Sequence, residues 1–155
     1  MIQIIKAEEK HIPDICRLWL EFINFHAEIE PIFAPKDDAV TGFEKEFLRP
    51  KMNSDKSRVQ LALDGEKVVG YAVSEILDLH GAKFTQCGVV DHLHITKDYR
   101  RQGIGEKLYQ EALKWFHDNG IKVVQVQLTA RNNLACSFWR KQGFRDFQHN
   151  WYLEI

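Results

Sequence analysis

The feature that most constrains this chain is a change of hydrophobic period near Thr96. Val89 to Ile95 reads as a β run, whereas Ile104, Leu108, Ala112, Trp115 and Phe116 recur at helical spacing. The connection is Thr96-Lys97-Asp98-Tyr99-Arg100-Arg101-Gln102-Gly103-Ile104-Gly105, a short basic stretch with two glycines at the mouth of the helix. A helix start has unpaired N–H groups and about half a positive charge, so it attracts anions. Lys97, Arg100 and Arg101 add full charges there, and glycine lets a backbone approach a ligand closely. A pyrophosphate would use all of these groups. The competing reading is a basic surface loop whose glycines serve only the turn. No Gly-x-x-x-x-Gly-Lys-Ser/Thr is present, and no third glycine completes Gly-x-Gly-x-x-Gly.

The rest of the chain supplies partners for this unit. Ile2 to Ala7 alternates as a strand, and Ile12 to His26 carries a helical stripe with Pro13 in its first turn. Pro31 and Pro35 interrupt it, and a second helix opens near Asp37 or Asp38 and turns Val40, Phe43 and Phe47 inward. Val59, Leu61 and Leu63 alternate up to an Asp64-Gly65 turn, and Val68 to Leu77 returns as a strand. After the long helix, Asn119-Gly120 supplies a stop, and Val124 to Leu128 is a further strand. Asn132 or Asn133 caps a short helix ending at Gly143, and Phe147 to Ile155 reads as a final strand. The order β-α-α-β-β-β-α-β-α-β implies an α/β (α+β) fold, a mixed sheet with helices on both faces. One domain over residues 1–155 is expected.

Composition narrows the function classes. Lys plus Arg number 21 against 22 Asp plus Glu, a net charge of −1, so no bulk attraction to nucleic acid is expected. Hydrophobic residues at 45% and charged residues at 28% exclude a disordered chain. No apolar run approaches the ~18 residues of a membrane span. The alternating amino terminus does not read as a signal peptide. Cys16, Cys87 and Cys136 have neither disulfide-framework nor metal-ligand spacing, so no metal is expected and the default location is cytoplasmic.

Two segments resemble one known family. Arg100-x-x-Gly103-x-Gly105 is similar to the acyl-CoA pyrophosphate loop of the GNAT family of N-acetyltransferases, Gln/Arg-x-x-Gly-x-Gly/Ala. Asn132-x-x-Ala135-x-x-Phe138-Trp139-x-x-x-Gly143-Phe144 is similar to its second signature, Asn-x-x-Ala-x-x-Phe-Tyr-x-x-x-Gly-Phe. The two stand in register across essentially the whole chain. The resemblance implies the acyl-CoA N-acyltransferase fold, with a mostly antiparallel sheet, a splayed pair of parallel strands, and acetyl-CoA as co-substrate. It also implies roles for individual residues. Leu93, His94 and Ile95 would offer backbone groups to the pantetheine arm. Arg100, Arg101, Gln102, Gly103, Ile104 and Gly105 would surround the pyrophosphate. Asn132, Ala135, Phe138 and Trp139 would flank the arm. For Asn132 a plain N-cap, and for Ala135 and Phe138 plain core packing, are the alternatives.

Acetyl transfer to a primary amine needs a base, because an ammonium of pKa ~10.4 is no nucleophile. Asp91 is the candidate, either as base or as a group that only orients the amine. His92 and His94 have the opposite strand parity, so both are expected to face away from it. Glu75 on the preceding strand is a further carboxylate. Glu28, Glu30 and Phe33, between the first two helices, are candidates for the acceptor side. Acidic groups there would suit a polyamine or an aminoglycoside, and a protein amine is equally open; a plain solvated loop is the simpler alternative. Trp139 stands where the family commonly has a tyrosine that protonates the departing thiolate. An indole N–H is far too weak an acid for that. An inactive acyl-CoA-binding module is therefore the alternative to an enzyme, and a homodimer paired through the final strand is compatible with the sequence.

Overall fold

The computed structural model describes residues 1–155. Five strands form one sheet in the order β1 (Ile2–Lys6), β2 (Ser57–Asp64), β3 (Lys67–Asp78), β4 (Gln86–Ile95), β5 (Val124–Val126). All neighbours are antiparallel except β4 and β5, which run parallel and pair only from Gly88–Val90 to Val124–Val126. Beyond Val90 the two strands part. The Asp64-Gly65 turn forms as its sequence predicts, with Gly65 at φ 60°.

One face of the sheet is covered by α1 (Ile12–Ile29) and by a second helical stretch. That stretch runs through α2 (Ala39–Gly42), a π-helical turn (Phe43–Leu48) and α3 (Arg49–Met52). Ile15, Leu18, Phe43, Leu48, Val59, Leu61, Tyr71 and Val73 form its core. The first helix continues past His26 to Ile29, and Pro31 begins a short 3-10 turn. Phe43 is buried and Val40 and Phe47 pack against the same core, as the pattern predicts. The widened turn ends where Pro50, which has no N–H to donate, enters the next segment.

The other face carries α4 (Ile104–Asp118), whose Ile104, Leu108, Ala112 and Phe116 are the stripe read from the sequence. Gly88 admits this helix. A Cβ there would lie 2.7 Å from the Phe116 ring, so only glycine lets α4 settle on the strand. The last helix, α5 (Asn133–Lys141), leans on α4 through the edge-to-face pair Trp139–Tyr109, with centroids 5.2 Å apart.

One expected element is missing. Residues Phe147 to Ile155 form no strand, and Phe147, Trp151 and Leu153 stand in solvent. Alternation supplies only a propensity, and a strand also needs a neighbour to bond; no backbone group of the segment bonds to a strand of this chain.

Candidate active site

A cleft of about 680 Å³ opens where β4 and β5 separate. Its walls are built from six parts of the chain, one of them the end of β5 and the residues after it, Val126 to Thr129. Strand β4 contributes Asp91, Leu93, His94 and Ile95; the loop before α4 contributes Arg100, Arg101 and Gly103; α4 itself contributes Ile104 and Gly105. Asn132, Ala135, Phe138 and Trp139 close it from α5, and Phe22, Phe25 and His26 from α1. Thus all but one of the residues named for the coenzyme converge on one space. The exception is Gln102, whose side-chain amide donates to the Asp98 carbonyl.

The loop has the backbone form that an anion needs. Gly103 takes φ 76°, and the first intrahelical bond of α4 runs from Lys107 N–H to the Gly103 carbonyl. The amides of Gly103, Ile104, Gly105 and Glu106 make no hydrogen bond to the protein and stand at the positive end of the helix. At Gly105 an added Cβ would already touch Leu93 and Phe138 at 3.5 and 3.6 Å, so the glycine leaves this wall of the cleft open. Arg101 adopts φ 61°, an uncommon left-handed conformation for a residue with a side chain. Arg100 is tied back, with Nε donating to the Ile95 carbonyl and its guanidinium 5.2 Å from the Phe25 ring centre. These features fit a pyrophosphate and an extended arm.

Strand geometry extends the fit. Gly88 donates toward β5 and Thr96 toward β3, so Leu93 and Ile95 turn their peptide groups into the gap that β5 leaves. By the same alternation, His94 bonds toward β3 and offers its side chain, not its backbone, to the cleft. Asn132 caps α5 through the Ala135 amide at 3.1 Å and is itself buried, so its capping role is met while it lines the cleft.

The acceptor side departs from expectation. The β3–β4 register pairs Val73 with His92 but Ser74 with Val90, so Asp91 is the extra residue of a β-bulge. A bulge breaks the alternation on which the parity expectation rests. Asp91 and His92 consequently meet the same helical stretch: Lys51 Nζ reaches Asp91 at 3.2 Å, and the Phe47 ring stacks on His92 at 4.8 Å. His94 lies on that side as well, with the Phe22 ring 6.0 Å away. Neither histidine faces away from Asp91.

Lys51 bridges two carboxylates, those of Asp91 and Glu75, and its ammonium sits 5.2 Å over Phe47. Burial lifts the Asp91 carboxyl to about 6; the Lys51 ammonium opposes this and the Glu75 carboxylate reinforces it. Burial pushes His92 down to about 3, with the charges of His26, Lys51 and His94 adding to it. Burial also lowers His94 to about 4, against the hydrogen bond it shares with Glu21 at 3.3 Å. Both imidazoles are neutral at neutral pH and are weaker bases than Asp91.

The other acceptor-side candidates do not reach the cleft. Glu28 is exposed on the last turn of α1, Glu30 is held by Arg131 at 2.8 Å, and Glu75 is engaged by Lys51. Phe33 packs against the His26 ring, with centroids 6.0 Å apart, behind the cleft wall. Sequence reasoning missed Lys51, Phe22 and Phe25. Phe22 belongs to the helical stripe, and Lys51 carries no local signal beyond following Pro50.

The phenols are also accounted for. Tyr99 lines the cleft but donates to Asp64 at 2.9 Å, Tyr71 is bonded to His92, and Tyr109 is buried against Trp139. Tyr152 stands in the exposed tail. No group of three or more His, Cys, Asp or Glu side chains is placed to hold a metal.

Comparison with known proteins agrees with this geometry. The model of the acetyltransferase (GNAT) family matches residues 19–144. N-alpha-acetyltransferase 30 of Schizosaccharomyces pombe is 25% identical over 155 residues, covering 99% of this chain and 91% of that protein. Two solved structures share the fold. One is the aminoglycoside antibiotic 6'-N-acetyltransferase AAC(6')-IG from Acinetobacter haemolyticus, with TM-score 0.79, 15% identity, and 99% and 97% of the chains covered. The other is AAC(6')-Iy in complex with the bisubstrate analog CoA-S-monomethyl-acetylneamine, with TM-score 0.74, 14% identity, and 100% and 98% covered.

Proposed function

The chain belongs to the GNAT family and is an acetyl-CoA-dependent N-acetyltransferase; from that premise we propose that its acceptor is a primary α-amine beside an apolar group, as at a protein amino terminus. The observation that carries this reading is the single raised carboxylate, Asp91, in an otherwise aromatic acceptor wall of Phe22, Phe25, His26 and His94. A base near 6 lies within about two units of an α-amine at ~7.7–8.0 but more than four below a lysine-type ammonium at ~10.4. A polycation would also ask for several carboxylates, and Glu28, Glu30 and Glu75 lie outside the cleft. The similarity to a protein N-alpha-acetyltransferase supports the same choice.

When bound, acetyl-CoA supplies the thioester carbonyl and a thiolate leaving group. The amides of Gly103 to Glu106, with Arg101, hold the pyrophosphate, and Arg100 braces the loop against Ile95 and Phe25. The peptide groups of Leu93 and Ile95 orient the pantetheine arm, with Asn132, Ala135 and Phe138 opposite. The Leu93 N–H also serves as donor to charge that develops on the carbonyl oxygen. Asp91 Oδ takes the proton of the incoming amine, directly or through one water. Trp139 excludes solvent and donates no proton to the thiolate, and Tyr99, the phenol that lines the cleft, is held by Asp64. The proton comes from the solvent or from the amine itself.

The second reading, a module that binds acetyl-CoA without turnover, is favoured by that missing phenol. Thiol release over a panel of amines, with the Asp91→Asn variant beside it, decides between the two. Release with α-amines and its loss in the variant, while calorimetry shows acetyl-CoA still bound, supports the enzyme. Tight binding without release for any amine overturns it.

A further inference from the structure

His26 is the one polar side chain on the α1 wall of the cleft, where it stands beside Phe22 and Phe25 in the last turn of the helix. Its Nδ1 lies 2.8 Å from the Phe22 carbonyl oxygen. A carbonyl can only accept, so Nδ1 carries the hydrogen, and the neutral ring keeps a lone pair on Nε2. The two nitrogens sit on nearly opposite sides of an imidazole, so this lone pair points away from the α1 backbone. The bond to Phe22 is the ring's only one within the protein. Tying the ring to its helix therefore uses one nitrogen and leaves the other free.

The ring is also held in place. Phe22 packs on it with centroids 4.3 Å apart, and Phe25 and Phe33 meet it edge-on at 5.8 and 6.0 Å. The same Phe22 ring lies 4.7 Å from His92, the neighbour of Asp91 at the bulge, and so joins His26 to the strand that carries the carboxylate. Burial is the main cause of the lowered values of His92 and His94, and the nearby His26 adds to both. Of the two imidazoles that line the cleft, His94 is buried and gives its Nε2 hydrogen to Glu21 at 3.3 Å. His26 is half-buried, and its Nε2 is bare.

An amine that has passed one proton to Asp91 keeps two N–H bonds and the lone pair that attacks. Against a wall of phenyl rings each N–H needs an acceptor, and Phe22 and Phe25 offer none. We propose that His26 Nε2 accepts one of these N–H bonds and turns the amine's lone pair toward the thioester carbon, Asp91 holding the amine from β4 and His26 from α1. His26 takes no proton in this step; it fixes the orientation of the nucleophile. The inference rests on the reading that the cleft receives a primary amine beside Asp91, and it holds for an α-amine and a lysine-type amine alike.

Two variants and a spectrum test it. His26→Phe keeps the bulk of the ring and removes the acceptor, whereas His26→Gln places an amide oxygen near the Nε2 position. With the amine that the parent protein turns over fastest, His26→Phe should lower kcat roughly ten- to hundredfold, and His26→Gln should restore most of that loss. In both variants the KM for acetyl-CoA should stay within about twofold of the parent value. In isotope-labelled parent protein, proton–nitrogen correlation spectra should show hydrogen on Nδ1 of His26, and its Nε2 resonance should shift when that amine is added with CoA. A kcat for His26→Phe within about twofold of the parent overturns the proposal, and so does a His26 ring with its hydrogen on Nε2. Equal losses in the two variants overturn it too, because the ring would then serve packing and not its lone pair. Should a lysine-type amine be the fastest substrate, the α-amine reading fails while these outcomes still decide the role of His26. Where no amine is turned over, an Nε2 resonance unmoved by any amine overturns the proposal.

Discussion

The two sides of the cleft are built by different means. The side proposed for the coenzyme is made of backbone: a left-handed glycine, unengaged amides at a helix start, and strand peptide groups turned into a gap. The side proposed for the acceptor is made of side chains from distant segments: Asp91 on a bulge, Lys51 after a π turn, and Phe22, Phe25 and His26 on α1. A site of the first kind tolerates changes of side chain but not of backbone conformation. A site of the second kind depends on long-range packing and on the charge balance inside it.

The largest test of that contrast is Asp91→Asn. It should lower kcat by ~10²–10⁴ while leaving acetyl-CoA affinity nearly unchanged, as steady-state kinetics and calorimetry would show. Gly103→Val should do the reverse. A β-branched residue at φ 76° is strained, and loss of the loop conformation should raise the KM for acetyl-CoA roughly tenfold with a smaller effect on kcat. Gly105→Ala is the companion control, because its Cβ meets neighbours at ordinary contact distance; stability should stay within about 1 kcal/mol.

Lys51→Met probes the charge balance. Without the ammonium, burial and Glu75 push the Asp91 carboxyl further up. The acid limb of kcat/KM against pH should move upward by about one unit, costing several-fold near pH 6.5 and little near pH 9. A lysine needed only for packing would lower the whole profile evenly.

The same residue links activity to stability. Asp91 titrates higher in the folded chain than the carboxylate value of 3.8, so the native state holds more protons between about 4 and 6. Stability is fully present below the lower value and declines as pH rises through the upper one. Asp91→Asn removes that decline, and its melting temperature at pH 8 should exceed that of the parent protein. A lower melting temperature would mean that the ionised pair with Lys51 holds the bulge together. The smallest effect belongs to Glu28→Gln with Glu30→Gln: the acceptor KM should change less than about twofold, because both carboxylates stand outside the cleft.

What could be read without coordinates follows the same division. The α4 stripe, the Asp64-Gly65 turn, the Asn132 cap and the Gly103 loop were all legible, and so was the convergence of two motifs on one cleft. Two expectations failed for a shared reason. The parity of Asp91 against His92 assumes uninterrupted alternation, and the final strand assumes that a β pattern finds a partner within its own chain.

The sequence by itself determined the helices, the hairpin and the left-handed turn before α4, because each rests on preferences within a few residues: φ range, cap, period. Tertiary structure decided where Asp91 points, that Lys51 meets it across 40 positions, and that Glu28 and Glu30 miss the cleft. A bulge and an ion pair of that separation are set by the packing of α1 and α3 on the sheet, and no local preference encodes them.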